Sequence, residues 1–475
     1  MRGQGGAGPR SLRRRQRCRR ARRVRHRVLD RARHRQPGGW WPDRIGDDAV
    51  IAHPERRPEA GLSLIELMIA LAISSLLILA LVEVFAASRT AYLLSSGLAR
   101  TQENGRFAID ILQRDLRMAG HAGCVNDQAR FLPGNVTPSR PALISTFLTD
   151  AQQFDGNYAA VGEPGLRFDV AITGYEAVNT ASGNTVAITS VPGSATSASW
   201  TGMPTALFDD FPASGTAGAP VPGSDVLVLR FFAPTGAQVT NFIPGDPATI
   251  QFASAQSGRL TEGLANPGLF AIADCMQAAV FQATTVQLSP TPPAPGEMTV
   301  ASSGLNQSSF VTTPPFTTGQ AMLYRAESVV YYVGRNASDN PALYRMRYTA
   351  GPGVAALAAP VSEELVEGIE SLQLQYGQDS NTGAAQTPTG NIGSSLTANA
   401  LVPAADPETA WRRVGLVRVG LLARSTEPAA AEQRSDAAGG TRLSALGVTF
   451  TPPDDTRYRA VYEDSVALRN RLFGN

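Results

Sequence analysis

Glu66 lies five residues after Gly61, in Gly61-Leu-Ser-Leu-Ile-Glu66, where a long apolar run begins. A carboxylate at membrane depth is costly, and ionisable groups placed there mark functional sites. Its chemistry would be pairing with a cation, because an unpaired charge among apolar side chains is expensive. Other chemistry is sparse. His121 is the only histidine after Gly61, and it reads as a packing or capping residue rather than a base. The acidic pairs Asp209-Asp210 and Asp454-Asp455 lie in polar loops. Calcium binding there competes with a simpler reading as solvated turns. The chain has no Gly-rich phosphate loop, no metal-spaced cluster and no Ser/His/Asp set. No cofactor is expected.

The element that must position Glu66 is a membrane-length helix. Leu67–Val82 is free of charge, Gly and Pro. With its flanks the run covers residues 62–87, roughly 39 Å of helix at about 1.5 Å per residue. That exceeds a hydrocarbon core of about 30 Å. A secretory signal would place a small-residue cleavage site after the apolar region; here Gly61 precedes it. Arg56-Arg57 also precedes it and favours a cytoplasmic N-terminal side. An ordinary single-pass anchor is the plainer reading, but it leaves Glu66 unexplained.

The helix is expected to continue beyond the membrane. Ser88 to Met118 contains no Pro, and Gly97 and Gly105 are its only breakers. In residues 107–119, Phe107, Ile111 and Met118 share an apolar arc with Ala108, Ile109, Leu112, Leu116 and Ala119. Asp110, Gln113, Arg114 and Arg117 fill the opposite arc. Such a face should pack on a globular domain. Asp115 falls inside the apolar arc and reads as a residue of the domain edge, with an Arg partner as the alternative.

Residues 1–49 hold sixteen of the 42 basic residues, and every basic residue in the chain is Arg. A nucleic-acid or anionic-lipid arm is one reading. The preferred one is a start called too early, with Val50 as the true start. Removing residues 1–61 takes away eighteen Arg and six acids, leaving 24 against 34, a formal net of −10. An acidic remainder gives no reason to expect nucleic-acid binding.

Gly61-Leu-Ser-Leu-Ile-Glu66-Leu-Met-Ile-Ala resembles the class III signal of type IV prepilins and type II secretion pseudopilins. The resemblance implies a cut by prepilin peptidase between Gly61 and Leu62. Leu62, in place of the usual Phe, would be N-methylated. Glu66 would be the fifth mature residue and serve assembly. A new α-amino group is largely cationic at neutral pH, so a neighbouring subunit's N-terminus offers Glu66 a partner and sets the register between subunits. Glu103–Cys124 resembles the end of the long helix in PilW-type minor pilins, with His121 where Tyr is usual. Ala273-Asp-Cys275 with Ala278–Thr284, then Leu365–Tyr376, Arg413–Arg424 and Val466–Leu472, agree with the same family. Residues from about 130 to 270 match nothing in it.

The resemblance places Cys124 and Cys275 on the extracytoplasmic side, where disulfides persist, and removes Cys18 with the leader. A Cys124–Cys275 bridge is the expectation; two buried free thiols are the alternative. Strands are expected at Asp225–Phe232, Ala278–Thr284, Ser328–Val333, Leu343–Tyr348, Leu365–Tyr376 and Val414–Ala423, the last with one buried face. Gly-, Ser-, Thr-, Ala- and Pro-rich stretches between them read as surface loops.

The expected fold is α+β, a long N-terminal pilin helix packed on an antiparallel β-rich head. The expected divisions are 1–49 (mis-called start), 50–61 (leader), 62–87 (transmembrane and assembly helix) and 88–120 (amphipathic continuation). The head then spans 121–310, with a variable insertion, and 311–475. The implied function is that of a non-enzymatic minor pilin that helps initiate and assemble type IV pili at or near the tip, supporting twitching motility and adhesion. The implied partners are other minor pilins, the major pilin, prepilin peptidase, the inner-membrane assembly platform and, as one option, a tip adhesin. A J-class pseudopilin of type II secretion is the runner-up, and a membrane-anchored hydrolase the enzymatic alternative.

Overall fold

A computed structural model describes residues 61, 63–125, 143–154, 157–189, 193–288, 294–311, 313, 315–383, 388–402, 404–431 and 443–471. The Arg-rich segment with Cys18, the stretch expected to form the leader up to residue 60, and Leu62 lie outside the described residues.

Leu64–Met118 forms one helix of 55 residues. No proline interrupts it, and its two mid-helix glycines are tolerated because each meets the head closely. Its buried positions are Gly97, Thr101, Gly105, Ala108, Leu112 and Leu116. Steps of three and four keep them on one stripe. A Cβ on Gly97 would lie 2.5 Å from the Ala429 Cβ, and one on Gly105 would overlap the Tyr462 ring. The glycines allow this approach, which larger residues would block. Phe107, expected on the packing arc, is 55% exposed. It is offset from Ala108 by one residue, about 100° of rotation, which turns it off the stripe.

Among the described residues the head is built from three sheets. The largest has eleven strands. Its central pair is Val226–Ile243 antiparallel to Met322–Arg335. On one side, Met322–Arg335 leads through Leu269–Ala273 and Ala278–Gln282 to the short parallel strand Leu143–Ser145. On the other, Val226–Ile243 leads to Ala248–Phe252 and Gly296–Val300. The hairpin Pro341–Arg347 and Val361–Glu367 joins through Met322–Arg335, and Ile172–Tyr175 joins through Val226–Ile243. Residues on both sides of position 310 therefore share this sheet.

The second sheet has the order Ile392–Leu396, Ile369–Asp379, Val414–Arg424, Arg459–Ala467, all antiparallel. The third joins Leu443–Ala445, Val448–Thr451 and Thr185–Ala187. The main core lies where Ala108, Leu112 and Leu116 of the helix, and Ala119 just after it, meet Leu229, Tyr331, Leu372, Val417, Val419 and Val466.

The expected strands Asp225–Phe232 and Ser328–Val333 are longer, Val226–Ile243 and Met322–Arg335, and two others depart in how they use the chain. The single strand expected over Leu365–Tyr376 is two, Val361–Glu367 and Ile369–Asp379. Gly368, at φ +82°, turns the chain from the first sheet into the second. A left-handed residue breaks a strand, and glycine takes that conformation without steric cost. The strand expected over Val414–Ala423 to bury one face is Val414–Arg424, and Gly420 and Leu422 are buried as well. Leu422 packs against Leu443, Val448 and Phe450, so the small third sheet covers the face expected to meet water.

Candidate assembly site

The helix start is organised by Ser63 and Glu66. The Ser63 N–H donates to the Glu66 carboxylate at 3.0 Å, and the Glu66 N–H donates to Ser63 Oγ at 3.2 Å. This reciprocal pair is a capping box, which satisfies amide groups that the first helical turn leaves open. Glu66 is exposed. It therefore has a local task, holding its own helix start, beside any pairing with a second subunit. The Ser-x-x-Glu spacing carries this signal in the sequence, and the reading based on charge alone passes over it. Gly61 is also exposed, and a Cβ there would meet nothing within 4 Å.

From Leu64 to Phe85 the large apolar side chains are all at least half exposed, from Leu67 at 51% to Leu64 at 76%. It is the one helix among the described residues long and apolar enough to cross a membrane. A continuous apolar surface of this size requires lipid or other apolar helices to cover it.

Further along, polar contacts fix the helix to the head. The Tyr462 hydroxyl donates to the Thr101 carbonyl at 3.2 Å, and Asn104 Nδ2 donates to the Glu367 carbonyl at 3.0 Å. The Gln113 side chain donates to Asp464. Asp115 does not stand at the domain edge, as its position suggested. It accepts from the Tyr331 hydroxyl and lies 3.6 Å from the Arg345 guanidinium. Burial, followed by the Asp115 charge, pushes the Tyr331 hydroxyl well above its usual pKa, so it stays a proton donor to Asp115. A carboxylate within an apolar arc is thus met by a cation and a hydroxyl from the sheet, the pairing a buried charge requires.

Two residues past the end of the helix at Met118, Gly120 takes φ +73° and turns the chain. Its N–H donates to the Arg230 carbonyl at 3.1 Å. His121 Nδ1 lies 2.8 Å from the Phe232 carbonyl, and its ring meets Tyr324 edge-on at 5.7 Å. Cys124 and Cys275 are joined, with sulfurs 2.07 Å apart, and both are exposed. The bridge ties the segment after the helix to the turn that follows Leu269–Ala273.

The acidic pairs are otherwise engaged. Asp210 accepts from the Tyr348 hydroxyl at 2.6 Å. Asp455 accepts from Arg459 at 2.7 Å. Burial alone would raise the Asp455 pKa, but Arg459 holds it below the usual range. Among the described residues no group of three or more His, Cys, Asp or Glu is arranged to hold a metal ion.

Two family models match parts of the chain. Residues 56–82 match the family model of the prokaryotic N-terminal methylation motif. Residues 330–470 match that of type IV pilus-assembly protein W. The second match covers the hairpin and the four-stranded sheet, including Tyr331, Arg345, Tyr462 and Asp464, which hold the helix. No curated protein matches, and no solved structure matches.

Proposed function

We propose that this chain, a PilW-like minor pilin of the type IV pilus, helps to initiate pilus assembly at or near the tip. The observation that carries the reading is a single helix with two differently used halves. Its exposed apolar half lies in the methylation-motif match, and its other half is held by strands of the PilW match. Prepilin peptidase cuts between Gly61 and Leu62, and Leu62 becomes the N-methylated first residue. The apolar helix anchors the precursor in the inner membrane with its head in the periplasm. It then leaves the bilayer to pack among the helices of other pilins. Glu66 meets the α-amino group of a neighbouring subunit there, so that one buried charge pair sets the axial register. The role is structural, and the partners are the major pilin, other minor pilins and the inner-membrane assembly platform. Pilus function in twitching motility and adhesion follows from assembly.

Deletion of the gene tests this. Surface pili and twitching should fall sharply while protein secretion continues, with both restored by the wild-type gene. Loss of secretion with normal pili would assign the chain to a secretion pseudopilus instead.

A further inference from the structure

Four polar side chains are buried together where the largest sheet meets the four-stranded one. Glu176 follows Ile172–Tyr175, Asp225 precedes Val226–Ile243, and Tyr376 stands in Ile369–Asp379. Thr180 lies in the turn after Glu176. None of the four is more than 3% exposed. Neither carboxylate makes an ion pair among the described residues.

The hydrogens around these carboxylates do not suffice. Asp225 accepts from the Ala177 and Leu374 N–H groups at 2.9 and 2.8 Å, and the Ala398 N–H faces Glu176. The Thr180 hydroxyl has one hydrogen to give, and its nearest acceptor is the Ala177 carbonyl at 2.8 Å. Glu176 Oε1 and Asp225 Oδ1 lie 3.3 and 3.5 Å from the same Oγ1, so both are left beside its lone pairs. Glu176 Oε2 has no hydrogen-bond partner among the described residues, and neither has the Tyr376 hydroxyl. Gly174 admits that hydroxyl, since a Cβ there would lie 1.9 Å from it. Burial, followed by the charges of Asp225 and Glu176, pushes the Tyr376 hydroxyl well above its usual pKa, so it stays neutral beside them. Buried oxygens gathered in this way lack positive charge.

Every group present is an oxygen, the ligand type of hard cations, and two carboxylates match a divalent one. Ligands at right angles stand about 3.3–3.7 Å apart around calcium and about 2.8–3.0 Å apart around magnesium, given bonds of about 2.3–2.6 and 2.0–2.1 Å. The separations of 3.3 and 3.5 Å at Thr180 fall in the calcium range. A cavity of about 490 Å³ is lined by Gly174, Tyr175 and Ala398, which border Glu176, and brings water within reach.

We propose that Glu176, Asp225 and Thr180 bind a calcium ion, with Tyr376 as a fourth oxygen and water from the cavity completing its shell. The site has two carboxylates rather than a group of three or more His, Cys, Asp or Glu, and hydroxyls supply its other protein oxygens. The ion takes the place of protons that burial otherwise holds on the pair. It fastens the largest sheet to the four-stranded one.

Calorimetry and thermal unfolding of the full chain test this, with the protein solubilised in detergent, stripped with EGTA and dialysed into slightly alkaline buffer. Calcium chloride should bind saturably and raise Tm, with a Kd of about 1 mM or tighter, the range of extracellular calcium modules. Magnesium chloride should bind at least about tenfold more weakly. Glu176→Gln keeps the shape and removes a charge, and should weaken calcium binding about tenfold or more. Thr180→Val should weaken it to a lesser degree. Asp209→Asn and Asp454→Asn, in the two acidic loop pairs, should leave it unchanged. If Glu176→Gln does not fold, Thr180→Val decides. No saturable calcium binding up to about 10 mM, ten times the weakest such site, would overturn the proposal. So would equal affinity for magnesium, wild-type affinity in Glu176→Gln or Thr180→Val, or loss of binding in either loop variant.

Discussion

Glu66 has two separable properties, a side chain that caps a helix and a charge that seeks a partner. Glutamine can fill the same capping-box position, but it carries no charge. Glu66→Gln should therefore keep helix and membrane insertion while reducing the amount of the chain recovered in sheared pili relative to the membrane fraction. Glu66→Ala loses both properties and should do worse. If Glu66→Gln entered pili as well as wild type, the cap would be its whole role. A second carboxylate pair acts inside the head. Burial pushes the Glu176 pKa up to about 7. Asp225, fully buried, is raised well above its usual value by burial and then by Glu176. Asp225 accepts from the N–H groups of Ala177 and Leu374 at 2.9 and 2.8 Å, whereas one Glu176 oxygen has no partner among the described residues. The folded state thus keeps protons that the unfolded chain releases at lower pH. By linkage, the stability from these groups is complete below the unfolded pKa and is lost as pH rises through the folded one. Tm should fall between pH 5 and pH 7, and Glu176→Gln should flatten that decline. A wild-type Tm that rises across this window would contradict the assignment.

At the scale of elements, the helix and the four-stranded sheet are held together by how closely they approach. Gly105→Ala sets two terms against each other. Alanine gains about 1 kcal/mol in helix propensity over glycine. Its Cβ would overlap the Tyr462 ring, and overpacking of this kind costs about 1–3 kcal/mol. The clash should win and lower Tm. Adding Tyr462→Ser should recover the propensity gain, giving a positive coupling in a double-mutant cycle. If Gly105→Ala raised Tm on its own, the ring would have room to move and the close approach would not be a constraint. This contact also shows where sequence reading ends. The apolar run, the absence of proline and the arc through Ala108, Leu112 and Leu116 are local patterns, and they define the helix. The reason for Gly105 lies on Tyr462, 357 positions away, and no local pattern points to it. Likewise Asp115 looks out of place in the sequence because its partners, Tyr331 and Arg345, come from two distant strands. The break at Gly368 is hidden because strand-like alternation of apolar and polar residues continues in Ile369–Tyr376 after Leu365-Val366.

For the whole molecule, the class of fold follows from one helix signal and several β-rich islands, but the assembly of the head does not. Residues 130–270 match nothing in the resembled family, yet they supply Val226–Ile243, the strand on which the largest sheet turns, and only its first part, Asp225–Phe232, is legible as a strand. Strand partners this far apart leave no mark on local periodicity. What the sequence offers at this scale is the cysteine pair. Its loop spans 151 positions, so closing it removes chain entropy worth roughly 4–5 kcal/mol in the loop-entropy model, an upper expectation. The bridge joins the segment after the helix to the large sheet, so it restrains both on unfolding. Both cysteines are exposed, and a reductant can reach them without the head opening. Thermal unfolding of the full chain with and without dithiothreitol measures the contribution. Reduction should lower Tm by the equivalent of several kcal/mol. The Cys124→Ser/Cys275→Ser variant should match reduced wild type and ignore the reductant. A wild-type Tm unmoved by reduction, with both thiols then open to alkylation, would mean that helix packing alone holds this end of the head.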